Sequence, residues 1–224
     1  QRLEINKKKN LNILEILSKS NIFSETLERN KVKCELYQTH FNNKARVNPK
    51  RLIIHDNKLS SVKNEKFDYC ISFFPTFTKS ELTLILKSVY SKIKYEGKFL
   101  FLFFSSASCS ELKKIFYDIF NTKAADMFMP SPDILLLGNM TNLTGYKNVV
   151  VDRSNYTITN KTPKELWAFI RDLGASNYLL NRNKVSISKY AYNKLCENVK
   201  LFLTQDNKIT TEVSINYLIG TKKN

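Results

Sequence analysis

Apolar residues come in short bursts along the first half of the chain, and polar, helix-compatible stretches separate them. Asn12 to Leu17 is an apolar run of strand length, and Ile22 to Arg29 reads as a helix. Lys33 to Gln38 predicts a weaker strand and Arg51 to His55 another, followed by a polar turn. Phe67 to Phe74 is strongly apolar, the pattern of a central strand buried on both faces. Thr78 and Glu81 have the spacing of a capping box, in which a hydroxyl and a carboxylate satisfy orphan backbone N–H groups reciprocally. A helix follows to about Ile93, with Leu82, Ile85, Leu86 and Val89 on one face. Gly97 then supplies a turn into a buried strand over Lys98 to Phe104, and Ser110 opens a helix through Tyr117.

The second half is less regular. Ser131-Pro132 predicts an N-cap with proline at the first helical position, and that helix ends near Gly145. Asn148 to Asp152 is a strand. Thr162-Pro163-Lys164-Glu165 is a second capping box, opening a helix to about Leu173. Ser188 to Val199 is a further helix. Thr211 to Ile219 alternates Val213, Ile215, Tyr217 and Ile219, the period of a final strand. Strand–helix alternation with short connections predicts an α/β fold: a parallel sheet covered by helices on both faces. Such folds take their ligands outside the carboxyl ends of the strands, where the strand order reverses. That place is the stretch after Leu17, with the loops after Tyr37, His55 and Phe74. No repeat or clear linker interrupts the chain. The expected organisation is one domain over residues 1–224, with a helical insertion at about 155–205 between the last two strands.

Composition narrows the function. The chain has 224 residues, 42% of them hydrophobic and 25% charged, which is enough for a real core and is not a disordered composition. The longest apolar run, Phe99 to Phe104, is too short to span a membrane. The opening Gln1-Arg2-Leu3-Glu4 carries an acid and no apolar signal core. Gln1 is not an initiator Met, so residues before it are expected to have been removed or left out. Four cysteines lie far apart and only two histidines occur, which argues against a metal site or a disulfide framework and for reduced thiols in the cytoplasm. The net charge of +16 has two readings: an acidic partner, or the lysine-rich codon bias of an AT-rich genome, since 29 lysines stand against 7 arginines. No arginine cluster appears and the aromatic runs have the look of buried strands, which argues against nucleic acid. An acidic carrier protein remains compatible with the charge.

The order of these segments resembles the class I S-adenosylmethionine-dependent methyltransferases. Within them it is most similar to the BioC malonyl-carrier-protein methyltransferases and the methyltransferase-like assembly factor of mitochondrial respiratory complex I. Arg51-Leu-Ile-Ile-His-Asp-Asn57 and Asn64-Glu-Lys-Phe-Asp-Tyr-Cys-Ile-Ser72 resemble the family's third and fourth strands, and Tyr95-Glu-Gly-Lys-Phe-Leu-Phe101 its entry to the fifth. Leu143-Thr-Gly-Tyr-Lys-Asn-Val-Val-Val-Asp152, Glu165 to Asn177, Asn181-Arg182 and Tyr217-Leu-Ile-Gly220 resemble the assembly-factor branch. The likeness implies a Rossmann-like class I methyltransferase sheet, mostly parallel with an antiparallel last strand. It also implies S-adenosyl-L-methionine as cofactor, without a metal.

The resemblance assigns Glu15 as the acid that anchors the cofactor, Ser18 and Ser20 to the turn beside it, and Gln38 to the ribose. Asp56 would meet the adenine amine, with Asn57 and Phe73 completing the cofactor set. The substrate side would be Asn177, Asn181 and Arg182. The family's glycine-rich turn is replaced by Leu17-Ser18-Lys19-Ser20-Asn21, and all five glycines lie elsewhere. Gln38 replaces the acid expected for the ribose hydroxyls, and Lys19 puts a cation near the sulfonium. Each residue also has a plainer role: Glu15 a strand-end residue, Asp56 a turn former, Asn177 to Arg182 capping groups after a helix, Trp167 a packing anchor. Three functions follow. One is a BioC-like enzyme methylating a malonyl carboxylate on acyl carrier protein, in biotin precursor synthesis. A carboxylate is ionised at neutral pH and needs no general base, only placement and a cation, for which Arg182 is the candidate. The second is a non-catalytic methyltransferase-fold protein, a pseudoenzyme that has lost the cofactor and serves as a binding or assembly partner. The third, a nucleic-acid methyltransferase, lacks the Asn-Pro-Pro-Tyr-like tetrapeptide; Phe73-Phe-Pro-Thr-Phe77 stands there.

Overall fold

The computed structural model describes residues 10–18, 21–40, 52–54, 59, 62–75, 79–128, 131–172 and 187–223. Along the chain run β1 (Leu11–Ser18), α1 (Ile22–Arg29), β2 (Cys34–His40), β3 (Leu52–Ile54), β4 (Phe67–Phe73), α2 (Lys79–Lys92), β5 (Ile93–Phe104) and α3 (Ser110–Phe120). A 3-10 helix (Asn121–Met127) leads to α4 (Ile134–Leu143), β6 (Lys147–Asn160), α5 (Pro163–Asp172), α6 (Lys189–Leu203), β7 (Thr204–Gln205) and β8 (Lys208–Thr221).

The sheet order is β3-β2-β1-β4-β5-β8-β6, with β7 paired to β8. The ladders joining β3, β2, β1, β4 and β5 are all parallel. β8 runs against β5: the Lys222 N–H donates to the Gly97 carbonyl at 2.9 Å, and the Ser105 N–H to that of Ser214 at 2.9 Å. This is the Rossmann-like class I methyltransferase fold, mostly parallel with an antiparallel last strand. The chain runs from β1 outward to β3, then returns beside β1 as β4, so the carboxyl ends of β1 and β4 form the switch point where such sheets hold ligands.

Alternation along the strands explains why helices cover both faces. Leu11 and Ile13 of β1 pack with Leu27 and Phe23 of α1, whereas Leu14 and Ile16 point the other way. On that second face they meet Leu82, Ile85, Leu86 and Val89 of α2 and Leu137 and Met140 of α4. Phe99, Phe101 and Phe103 of β5 join the second face and Leu100 the first.

The chain divides into two compact units, Gln1–Phe103 with Ile134–Asp152 and Tyr217–Asn224, and Phe104–Asp133 with Arg153–Asn216. The core just described belongs to the first. In the second, Leu112, Ile115 and Phe116 of α3 pack with Leu166 and Ile170 of α5 and Leu195 and Val199 of α6.

Four expectations are corrected. Gly97 closes a tight bend, a Cβ there standing 2.7 Å from the Lys94 carbonyl oxygen, but the bend lies inside a longer strand: β5 begins at Ile93, and two steps along β4 (Phe67 to Tyr69) face five along β5 (Ile93 to Lys98). The surplus is a bulge with Glu96 at φ 60°, held by the Glu96 N–H to the Lys222 carbonyl. The helix expected from Pro132 starts at Ile134. The helix from Ser110 continues to Phe120, and the strand expected to end at Asp152 runs on to Asn160. The second capping box holds in altered form: the Glu165 N–H donates to Thr162 Oγ1 at 3.2 Å, while the Glu165 carboxylate accepts from the Lys161 N–H at 2.8 Å, one residue early. Thr78 of the first box lies outside the described residues.

Candidate functional site

The end of β1 is built around a left-handed kink. Leu17 has φ 54°, a conformation that glycine adopts freely and a leucine rarely. The β1–β2 register slips there, with Glu15 opposite Gln38 but Ser18 opposite His40, so three steps on β1 face two on β2. A kink inside a buried ladder strands backbone polar groups, which must find partners. Thr39 Oγ1 accepts from the Leu17 N–H at 2.8 Å, and the Ser72 hydroxyl donates to the Ile16 carbonyl at 2.8 Å. Both hydroxyls are fully buried. The kink is thus fastened from both flanking strands, and the Leu17 side chain lies in the α2-side core.

Thr39 and Ser72 were not singled out from the sequence. Their signal is a short hydroxyl at the carboxyl end of an otherwise apolar strand. Thr39→Val keeps the shape but removes the acceptor, leaving the Leu17 N–H buried and bare. The expected cost is about 1–2 kcal/mol in chemical denaturation, and an unchanged midpoint would mean that the kink finds another acceptor.

β4 ends in the same way. Phe74 follows it at φ 52°, its N–H donating to the Leu102 carbonyl at 2.9 Å. Bulky residues held at positive φ cost energy and tend to mark functional sites. Here two of them stand at the carboxyl ends of the two strands that define the switch point.

Beside the kink, Gln38 Nε2 donates to Glu15 Oε2 at 2.5 Å. Glu15 is 3% exposed and Gln38 1%. Both side chains extend to the α1-side face, opposite to Leu14 and Tyr37. Phe73 lies on that face as well, its ring 5.3 Å from that of Phe23 of α1, centroid to centroid. The structure therefore pairs two residues that the sequence selected, Glu15 and Gln38, sets Phe73 on the same face of the sheet, and places Ser18 at the end of β1 in register with His40. Glu15 is no surface residue, and its carboxylate is hydrogen-bonded inside the sheet. Ser20, Asp56, Asn57, Asn177, Asn181 and Arg182 lie outside the described residues. Trp167 is a packing residue, edge-on to Phe116 at 5.4 Å.

An adenosine nucleoside with a charged sulfur needs a tight backbone turn after β1 and polar groups at the ends of β1 and β2. The described residues fit it in part: a left-handed kink at Leu17 bends the end of β1 without glycine, and the polar pair is present with an amide in place of the second acid, while Lys19 and Ser20, which follow β1, lie outside the described residues. The two buried thiols are poorly suited to act as nucleophiles. Burial pushes the Cys70 and Cys109 thiols above their ordinary range, with Lys113 pulling Cys109 back only in part. Among the described residues no group of His, Cys, Asp and Glu is placed to hold a metal, and no helix is long and apolar enough to cross a membrane.

No family model and no curated protein sequence matches the chain. Solved structures do match its fold. YcgJ of Bacillus subtilis superposes with a TM-score of 0.59 at 9% identity, over 96% of this chain and 93% of that one. A SAM-dependent methyltransferase of Archaeoglobus fulgidus gives 0.53 at 15% identity, over 96% and 88%. Phosphoethanolamine N-methyltransferase 2 of Haemonchus contortus, in complex with phosphomonomethylethanolamine and S-adenosylhomocysteine, gives 0.52 at 13% identity, over 96% of this chain and 49% of that one. Several of the matching structures are methyltransferases, and nothing in these three points to the BioC or complex I assembly-factor branch. At these identities the likeness establishes the fold.

Proposed function

We propose that the protein binds S-adenosylmethionine at the ends of β1 and β2 and transfers its methyl group. One observation carries the reading: the chain holds Leu17 in the left-handed conformation of a glycine, two residues after the buried acid Glu15, and fastens that kink with two dedicated hydroxyls. Bulky residues held in this conformation by their surroundings cluster at binding sites. The cofactor supplies an electrophilic methyl group when bound. The protein's part is to bind and orient: Gln38, its amide nitrogen on Glu15, would offer its amide oxygen to a ribose hydroxyl. A carboxylate acceptor would need no proton removed.

The finer reading is a malonyl carboxylate carried on acyl carrier protein. What supports it is the sequence resemblance and the net charge of +16, which would attract an acidic carrier. A specific observation also favours a non-catalytic role. Glu15 and Gln38 already satisfy one another in a buried pair, and a neutral amide grips ribose hydroxyls less firmly than an acid does.

Calorimetric titration with S-adenosylmethionine and S-adenosylhomocysteine decides between the two. The enzyme reading expects a Kd tighter than about 1 mM for both, equivalent to roughly 4 kcal/mol. Weaker binding of both overturns it and leaves the binding-protein reading. A salt-sensitive complex with acyl carrier protein would support the carrier under either.

A further inference from the structure

The second compact unit contains a hollow of about 260 Å³ that plays no part in the function proposed above. It lies between α3 and the 3-10 helix that follows. Lys113 and Tyr117, one turn apart on α3, bring an ammonium and a phenol to its lining. Ala124 and Ala125 of the 3-10 helix and the ring of Phe128 make the apolar wall, the two alanines leaving the space open. The wall is braced from behind, because Phe128 packs edge-on against Phe116 at 5.1 Å.

Lys113 Nζ donates to the Ser106 carbonyl at 2.8 Å and stands 5.7 Å from the centre of the Phe128 ring. Among the described residues no carboxylate pairs with it. An ammonium has three hydrogens to place, and one carbonyl and one ring face leave it short of anionic partners. Burial accordingly holds its pKa below the ordinary lysine value. A cation, a phenol and an apolar wall around a space smaller than a drug-sized pocket define a narrow class of guest.

We propose that this hollow is a binding site for a small carboxylate with a compact apolar body, the carboxylate on Lys113 and Tyr117 and the body against Ala124, Ala125 and Phe128. Phosphate-bearing ligands fit less well, because a single lysine balances one negative charge and the wall offers a doubly charged head no second cation. The site is independent of S-adenosylmethionine, so it stands or falls apart from the methyltransferase reading.

The test titrates the full chain with benzoate and with benzamide, its uncharged isostere, by protein NMR. Benzoate is expected to bind at least about tenfold more tightly than benzamide, and Lys113→Met to remove that preference. Ala125→Phe, at an exposed position that the fold should tolerate, would fill the space and abolish both. Equal affinity for the two probes, an unchanged preference in Lys113→Met, or undiminished benzoate binding in a folded Ala125→Phe variant would each overturn the proposal. Should Lys113→Met fail to fold, Tyr117→Phe, at an exposed residue, takes its place with an expected loss of several-fold.

Discussion

Phe99→Ala should lower the free energy of unfolding by about 3–5 kcal/mol, and Gly220→Ala by about 1–3 kcal/mol, both read from chemical denaturation. The two residues face each other across β5 and β8. Phe99 is fully buried, with ring centroids 5.1 Å from Phe101 and 4.6 Å from Tyr146. A Cβ added at Gly220 would stand 2.6 Å from Phe99 Cε1 and 3.3 Å from Tyr146 Cβ. Gly220 is therefore glycine because of space, its φ lying outside the left-handed range. The ring cannot yield, since Phe101 and Tyr146 hold it in place. In the Phe99→Ala background the intruding methyl group would find room. The double variant should cost less than the sum of the singles, by about 1–2 kcal/mol. Simple additivity would show that the seam relaxes by moving backbone instead.

That seam shows what the sequence could reveal and what it could not. Period and apolarity decide element type, so α1 and the cores of β1, β4 and β8 were legible as soon as the runs were seen. The bulge at Glu96 and Gly97 was not. A glycine between two apolar stretches reads as a turn, and only the pairing of β8 with Gly97 shows that the strand continues through it. The hairpin from β7 to β8 was hidden for the opposite reason. Asp206 and Asn207 take φ of 50° and 60° without the glycine that usually announces such a turn. At the candidate site, the family likeness singled out Glu15 and Gln38, but residue types did not say that the two bond to each other. Pairing across parallel strands depends on register, and register is set by packing on both faces of the sheet. The left-handed turn was masked most of all, because leucine is the residue least expected to adopt it. Thr39 and Ser72, which make it possible, look like ordinary strand residues until the backbone groups they satisfy are known.

Gln38→Leu should destabilise the protein by about 2–3 kcal/mol, because a buried carboxylate would lose a donor and an apolar group would face it. Glu15→Leu should cost a similar amount for the converse reason. Replacing both removes donor and acceptor together, so the double variant should fall short of the sum by about 1.5 kcal/mol or more. Both residues make further interactions, which sets the scale of the single effects without altering the coupling. The same variants discriminate between the two proposed functions when S-adenosylhomocysteine is titrated into them. If Gln38 serves the ribose, Glu15→Gln, which nearly preserves shape and stability, should still weaken the nucleoside, because Gln38 would no longer be oriented by a carboxylate. If the pair is only a structural clasp inside the sheet, Glu15→Gln would leave affinity untouched while the coupling in stability remained. A clasp of that kind would account for a sheet that holds Leu17 in a left-handed conformation near the end of β1 while its side chain stays anchored in the core.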